Sequence, residues 1–289
     1  MSAPVLSVVL AVRNEAEHVG AQLAALAGQG ADVPWELLVV DNGSTDGTAE
    51  VVTEALADLP DGRLVIGPSA ASFVDPRNLG LELAAADRIA FCDADDVVAD
   101  GWVQAMADAL GRHELVTGPL ELRSLNPSHV LHGDHADRWL VGPPQDDTFR
   151  PYAMGCNLGI RRSAVERLGP YDPGLESGHD KELSWRYQLA GVPLHFEESA
   201  VVHRRVRTTP GGAFRQHVRY GRSNARLYRR FRAHGMRRSS IARAVLVLGW
   251  GVLSSPLLIG SAHRHRWAEH IGLRVGRLAG SFRHRVVYL

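Results

Sequence analysis

Three carboxylates follow one short apolar run: Ile89-Ala90-Phe91-Cys92 gives way at once to Asp93-Ala94-Asp95-Asp96. Carboxylates this close repel one another and resist ionisation unless a cation lies among them. Hard oxygen ligands at a strand end suit Mg2+ or Mn2+, and a cation held there would hold a phosphate-bearing substrate in turn. Taken alone, the tetrapeptide reads equally well as a solvated acidic turn. Two other polar clusters bear on the choice. Arg13-Asn14-Glu15 follows the apolar run 6–12, and Asp41-Asn42 follows the apolar run 36–40. No G-x-G-x-x-G follows the first run and no G-x-x-x-x-G-K-[ST] occurs, which argues against dinucleotide and P-loop chemistry. Ala11-Val12-Arg13-Asn14-Glu15 also lacks the glycine-rich basic loop of a sugar-nucleotide pyrophosphorylase.

The elements that must position these clusters follow from hydrophobic periodicity. Strands are predicted at 6–12, 36–40, 63–66, 88–92 and 115–117, and helices at 17–27, 48–59, 78–86 and 102–110. The turn Asn42-Gly43-Ser44-Thr45-Asp46-Gly47 supplies caps for the second helix. Such alternation predicts an α/β fold, an open, mainly parallel sheet with helices on both faces. Ligands in these sheets bind beyond the carboxyl ends of the strands, so all three polar clusters are expected on one edge. Residues 124–154 have little periodicity and are expected to form a mobile loop over an acceptor. His132, Asp134 and His135 within it are a weak metal alternative to a solvated connection.

The chain has 289 residues, enough for a full core, and its 32 basic and 32 acidic residues cancel. The cancellation hides an asymmetry. Residues 1–210 hold 16 Lys and Arg against 31 Asp and Glu, whereas residues 211–289 hold 16 Arg against the single acid Glu269. Two regions with different partners are expected. The two cysteines, Cys92 and Cys156, are far apart and form no disulfide framework, and no secretion signal is read at the amino terminus. A cytoplasmic setting is expected.

In one reading frame, Val39-Val-Asp-Asn-Gly-Ser-Thr-Asp-Gly-Thr48, Arg77-Asn-Leu-Gly80 and Cys92-Asp-Ala-Asp-Asp96 closely resemble the family 2 glycosyltransferases of the GT-A fold. Gly155-Cys-Asn-Leu-Gly-Ile-Arg-Arg162, Leu168-Gly-Pro-Tyr-Asp172 and Glu176-Ser-Gly-His-Asp-Lys-Glu-Leu-Ser-Trp-Arg186 are similar to that family's acceptor half. The resemblance runs over about residues 5–205 and implies a metal-dependent, inverting transfer from a UDP-, GDP- or dTDP-linked sugar to a hydroxyl of a glycan or lipid-linked acceptor. It implies that Ala11, Arg13, Glu15, Asp41 and Arg77 line the nucleotide, with Asp93 nearer the ribose, and that Asp95 and His203 bind Mg2+ or Mn2+, Asp93 being a further candidate ligand. Asp180 matches the catalytic base. One departure is that His179 replaces the Glu of the usual Glu-Asp pair; with Asn157 it falls on the acceptor side. The alternatives are a polyprenyl-phosphate sugar synthase and a non-catalytic nucleotide-sugar binder at the membrane.

The first region, 1–210, is therefore expected to be catalytic, with a nucleotide-sugar half 1–120 and an acceptor half 121–210. The second, 211–289, is expected to be a basic helical region. Arg215, Arg219, Arg222, Arg226, Arg229, Arg230 and Arg232 recur at mostly three- and four-residue spacing. Residues 244–260 are almost wholly apolar but contain Pro256 and carry Arg and His at both ends, which fits an interfacial or re-entrant hairpin better than a spanning helix. Attachment to an anionic membrane surface at its inner face is the leading expectation. The alternative is a helical subdomain packed on the acidic catalytic face or forming a homo-oligomer contact. No nucleic-acid motif accompanies the arginines.

Overall fold

The computed structural model describes residues 3–59, 61–67, 75–131, 137–254 and 260–289. The weak metal reading at His132, Asp134 and His135 lies outside the described residues, as does Pro256 with the rest of 255–259.

In chain order the elements are β1 (Leu6–Val12), α1 (Val19–Ala27), β2 (Trp35–Asp41), α2 (Thr48–Ala55), β3 (Gly62–Ile66), α3 (Asp75–Leu83), β4 (Arg88–Asp93), β5 (Val97–Val98), α4 (Trp102–Arg112), β6 (Leu115–Thr117) and β7 (Leu120–Glu121). Then follow β8 (Asn157–Arg161), α5 (Arg162–Leu168), α6 (His179–Leu189), β9 (Leu194–Phe196), β10 (Val202–His203), α7 (Pro210–Phe231), α8 (Ile241–Leu253) and α9 (Ser261–His284). The predicted elements recur with shifted ends. α3 begins three residues before the expected start, because Pro76 suits a first helical turn whose N–H groups need no partner. α2 stops at Ala55 and tightens into a 3-10 turn, Leu56–Asp58, where an unbroken helix to 59 is expected.

Seven strands form one sheet in the order β3-β2-β1-β4-β8-β6-β9. β1 pairs in parallel with β2 and β4, and β2 with β3, and β1 is buried on both faces, as its unbroken apolar run requires. The sheet is mixed rather than uniformly parallel, because β8 runs antiparallel to both β4 and β6. That reversal starts β8 at the edge where β4 ends, with Asn157 opposite Cys92. A second sheet, β5-β10-β7, sits beside it.

Core side chains lie on both faces of the large sheet, one layer around Leu23, Trp102 and Met106 and the other around Phe91, Tyr171 and Leu183. A third cluster crosses from residues 1–210 into residues 211–289. Tyr152, Leu175 and Trp185 pack with Leu227, Tyr228 and Phe231 of α7 and with Tyr288 beyond α9. α7 and α9 run side by side with their backbones almost touching. A Cβ on Gly276 would lie 2.2 Å from the Val218 carbonyl oxygen, and one on Gly221 would lie 2.4 Å from that of Leu273. Small residues permit this approach, which gains dispersion contacts along both helices. α8 rests on α9 through Gly251, whose carbonyl accepts a 2.9 Å bond from Trp267, and turns Val245, Leu246, Val252 and Leu253 outward. Among the described residues no helix is long and apolar enough to cross a membrane.

Candidate functional site

The parallel register puts the polar clusters on one edge. Ala11 stands opposite Asp93 of β4, and Val12 opposite Asp41 of β2. Beyond these ends two loops are woven together. Thr45 donates its N–H to Asn14 Oδ1 at 2.8 Å, Glu15 N–H reaches Thr48 Oγ1 at 2.9 Å, and Asn14 N–H reaches Ser44 Oγ at 3.0 Å. Asn14 takes the left-handed backbone (φ 53°) that an Asn tolerates, which turns the loop toward its neighbour. Asp41 is buried and directs Oδ1 to the Ser44 N–H and hydroxyl, so it sets the loop's shape. Arg13 is exposed at the loop.

The turn after β4 carries the carboxylates. The buried Gln22 braces it from both sides, donating to the Asp93 carbonyl and accepting from the Val98 N–H. Asp93 pairs with the guanidinium of Arg77 from α3. Burial works against the Arg77 charge, but Asp93, Tyr171 and Asp180 outweigh it and hold its pKa above the usual arginine value. Asp95 is pushed up by burial and then by Asp93, Asp96 by burial and then by Asp95 and Asp93, and Glu15 is pushed up to about 7 by burial and by Asp95. These groups resist carrying their full charge together. That is the electrostatic condition a divalent cation relieves, and the oxygen donors suit a hard ion. Among the described residues, the ligand atoms of Asp93, Asp96 and Cys156 lie within 4.8 Å of one another. The Cys156 thiol is pushed well up by burial, so it is protonated and a poor ligand there. Asp95 stands outside that trio, and so does His203.

His203 lies on β10 opposite Val97, one residue past Asp96. Its Nδ1 bonds Glu121 Oε2 at 2.8 Å. Burial would raise the Glu121 pKa, but His203, Ser124 and the backbone N–H groups of Arg123 and Ser124 bring it to about 2. A carboxylate only accepts, so Nδ1 carries a proton and the ring turns Nε2 the other way, the geometry by which a carboxylate orients a metal-binding histidine.

α6 carries the next group of residues singled out in the sequence. Asp180, in its first turn, accepts the Lys181 N–H on Oδ1 at 2.8 Å and sets Oδ2 3.4 Å from the Gly155 N–H. A Cβ on Gly155 would lie 3.7 Å from Arg77 Nη2 and 3.9 Å from Asp180 Cβ. Arg77 thus stands between Asp93 and Asp180. His179 is buried, its Nε2 donates to the Leu175 carbonyl at 2.8 Å, and burial lowers its pKa, which makes it a neutral brace for the turn before α6. Asn157, expected on the acceptor side, is fully buried, with Oδ1 accepting from Trp102 Nε1 and Nδ2 donating to the Pro119 and Ala200 carbonyls, so it ties β8 to the chain just before β7 and β10.

Several residues escaped the sequence reading. Arg204 directly follows His203 and Arg207 comes three residues after it; Arg204 acts on Asp93, Asp95 and Asp96, and Arg207 on Glu15 and Asp95. The run His203-Arg-Arg-Val-Arg207 was the available signal, because a basic run supplies the counter-charge that clustered strand-end carboxylates call for. Tyr220 of α7 lies in the fields of Arg204 and Asp180, a contribution from the tail that no local pattern announced. A cavity of about 510 Å³ between α3 and α5 is lined by Asn78, Glu82, Arg162 and Glu166, and it lies away from the carboxylate turn.

The model of the glycosyl transferase family 2 matches residues 7–169. Among curated proteins, the glycosyltransferase AglE of Haloferax volcanii is 29% identical over 205 residues, 68% of this chain and 66% of that protein. The succinoglycan biosynthesis protein ExoM of Rhizobium meliloti is 26% identical over 259 residues, covering 84% and 82%. Among solved structures, the mannosyltransferase PcManGT of Pyrobaculum calidifontis, in complex with GDP-Man and Mn2+, superposes with a TM-score of 0.68 at 17% identity over 98% of this chain and 88% of that one. S. aureus TarS 1-349 in complex with UDP-GlcNAc gives 0.53 at 17%, covering 98% and 93%. At such identities the likeness is one of fold.

Proposed function

The chain belongs to glycosyl transferase family 2, and on that premise we propose that it moves a sugar from a nucleoside-diphosphate donor to a hydroxyl of a glycan or lipid-linked acceptor, with inversion and with Asp180 as general base. The observation that carries this reading is the junction at Arg77. One buried guanidinium pairs with Asp93 on the donor edge and reaches, past a glycine without a side chain, to Asp180 on the acceptor side.

The chemistry divides among this chain's residues. Ala11, Arg13, Glu15 and Asp41 form the pocket edge for the nucleotide, and Arg77 keeps the Asp93 carboxylate fixed beside it. Asp93, Asp95 and His203, with Asp96 behind them, would hold Mg2+ or Mn2+. A bound divalent ion supplies compensation for the charge that gathers on the departing diphosphate. Arg204 and Arg207 add positive charge on the same side. On the acceptor side, Asp180 takes the proton of the attacking hydroxyl. As the new bond to the anomeric carbon forms, the bond to the diphosphate oxygen breaks and its electron pair leaves with the nucleotide. One displacement with one base inverts the anomeric centre.

A membrane-surface location accompanies this reading. It is supported by the outward apolar face of α8 together with Arg237, Arg238, Arg264 and Arg266 around it.

The test is Asp180→Asn. Removing a general base costs about 10²–10⁴-fold in turnover, and donor affinity, measured by titration with the nucleotide sugar and Mn2+, stays at the parent value. Normal turnover in this variant would refute the assignment.

A further inference from the structure

The segment beyond α9 reaches back into the acceptor side. Lys181, the residue after the proposed base, places Nζ 2.8 Å from Asp146 Oδ2, and the two side chains are 18% and 8% exposed. The Lys181 ammonium also lies 4.5 Å from the Tyr152 ring centroid and 5.8 Å from that of Trp185. Asp146 Oδ1 accepts the Thr148 hydroxyl at 2.5 Å, and Thr148 Oγ1 is 3.0 Å from the Tyr288 hydroxyl. A carboxylate has no proton to give, so Thr148 must donate to Asp146, and its single proton is then committed. Tyr288 is therefore the donor to Thr148. Every bond in the chain runs toward Asp146: Tyr288 through Thr148 from one side, and Lys181 from the other. Aligned bonds of this kind reinforce one another in a buried setting.

Tyr288 is itself fixed. It is 1% exposed and stacks on Tyr228 with ring centroids 5.1 Å apart, and Ser281 binds both its N–H and its carbonyl. The loop it anchors lies along α6: Arg150, Pro151 and Ala153 bond Trp185, Gln188 and Ser184. The loop then runs into Met154 and Gly155, whose N–H faces Asp180. Lys181 has two carboxylates within reach of its electrostatic field, Asp146 and Asp180. Holding Asp146 in place keeps the ammonium on that side.

We propose that Tyr288 is a positioning residue for glycosyl transfer: through Thr148 and Asp146 it fixes Lys181 and the 144–155 loop, and so leaves the Asp180 carboxylate turned to the acceptor. This rests on the reading of Asp180 as base.

The experiment compares variants of the full chain. Tyr288→Phe keeps the ring and removes only the donor, Thr148→Val keeps the shape and removes the hydroxyl, and Thr148→Ser retains it. The first two are expected to lower kcat about fivefold, the effect of one buried hydrogen bond. The donor-sugar dissociation constant should stay within about twofold of the parent value. Thr148→Ser restores kcat, and the double variant is no slower than either single one, as expected for members of one chain. Parent kcat in Tyr288→Phe overturns the proposal. So do losses that multiply in the double variant, and a kcat loss accompanied by an equal loss of donor affinity, which would indicate general loosening. Asp180→Asn, assayed alongside, separates the two readings: if it is inactive and Tyr288→Phe is normal, the positioning role alone fails, and if it turns over normally, the base assignment fails.

Discussion

Residues 1–210 gather acidic groups at the end of a sheet, whereas residues 211–289 spread arginines along helices, and the two regions meet along the segment that leads into and forms α6. The first region keeps carboxylates together against their repulsion at Asp93, Asp95 and Asp96. The tail uses part of its charge on its neighbour. Arg230 bonds Asp172 at 2.7 Å and Glu182 at 2.8 Å, Arg283 bonds Glu176 at 2.8 Å, and Arg226 donates to the Gly174 carbonyl. These partners all belong to the segment that leads into or forms α6. The basic stripe is thus in part an internal fastening, while Arg215, Arg229 and Arg232 remain exposed. A charge asymmetry in sequence does not by itself say whether the second region faces an outside partner or the first region.

The sharpest break of this comparison is to end the chain at residue 210. Trp185, Tyr152 and Leu175 would lose Leu227, Tyr228 and Phe231, and the expected outcome is an aggregating, inactive fragment by size exclusion and near-ultraviolet circular dichroism. A soluble, active 1–210 fragment would make the tail a mere appendage. Next in size is the outward face of α8. Leu246→Glu with Leu253→Glu removes about 1.5–3 kcal/mol of apolar burial per side chain at a bilayer, so flotation with anionic vesicles should fall more than tenfold while transfer to a soluble acceptor persists. Unchanged flotation would leave the arginines alone as the anchor.

A smaller effect separates the regions by pH. Burial pushes both Glu15, in the catalytic region, and Glu269, in the tail, up to about 7 from 4.5. A carboxyl raised in the folded state contributes stability that is fully present below its unfolded pKa and is lost as pH rises through the folded one. In chelator, the melting temperature is expected to fall between about pH 5 and pH 8. Mn2+ should flatten the Glu15 share, and Glu269→Gln the tail's share; a flat profile in chelator would contradict both. The smallest effect is Arg283→Ala. Its pair with Glu176 is 65% and 46% exposed, and such pairs contribute about 0–1 kcal/mol. A larger loss in denaturant unfolding would mean the two regions depend on this contact far more than its exposure suggests.

What the sequence by itself determined was local. Short continuous apolar runs and periodic apolar faces located nearly every element of the first 120 residues, and polar residues directly after three such runs marked one shared edge, because a parallel sheet puts successive strand ends together. Tertiary structure decided the rest. The antiparallel entry of β8 carries Gly155 and Cys156 to the carboxylate turn, although nothing local in 155–161 fixes a strand's direction. Asn157 has the residue type of a ligand contact, and only the packing of Trp102, Pro119 and Ala200 around it makes it a brace. The pairing of His203 with Glu121 and the reach of Tyr288 to Thr148 join residues 82 and 140 positions apart, and the field of Arg204 reaches back to Asp93, Asp95 and Asp96 on a distant strand end. Periodicity records which face of an element is buried. It carries no record of which distant side chain will complete a buried hydrogen bond, and that is settled only when the whole core closes.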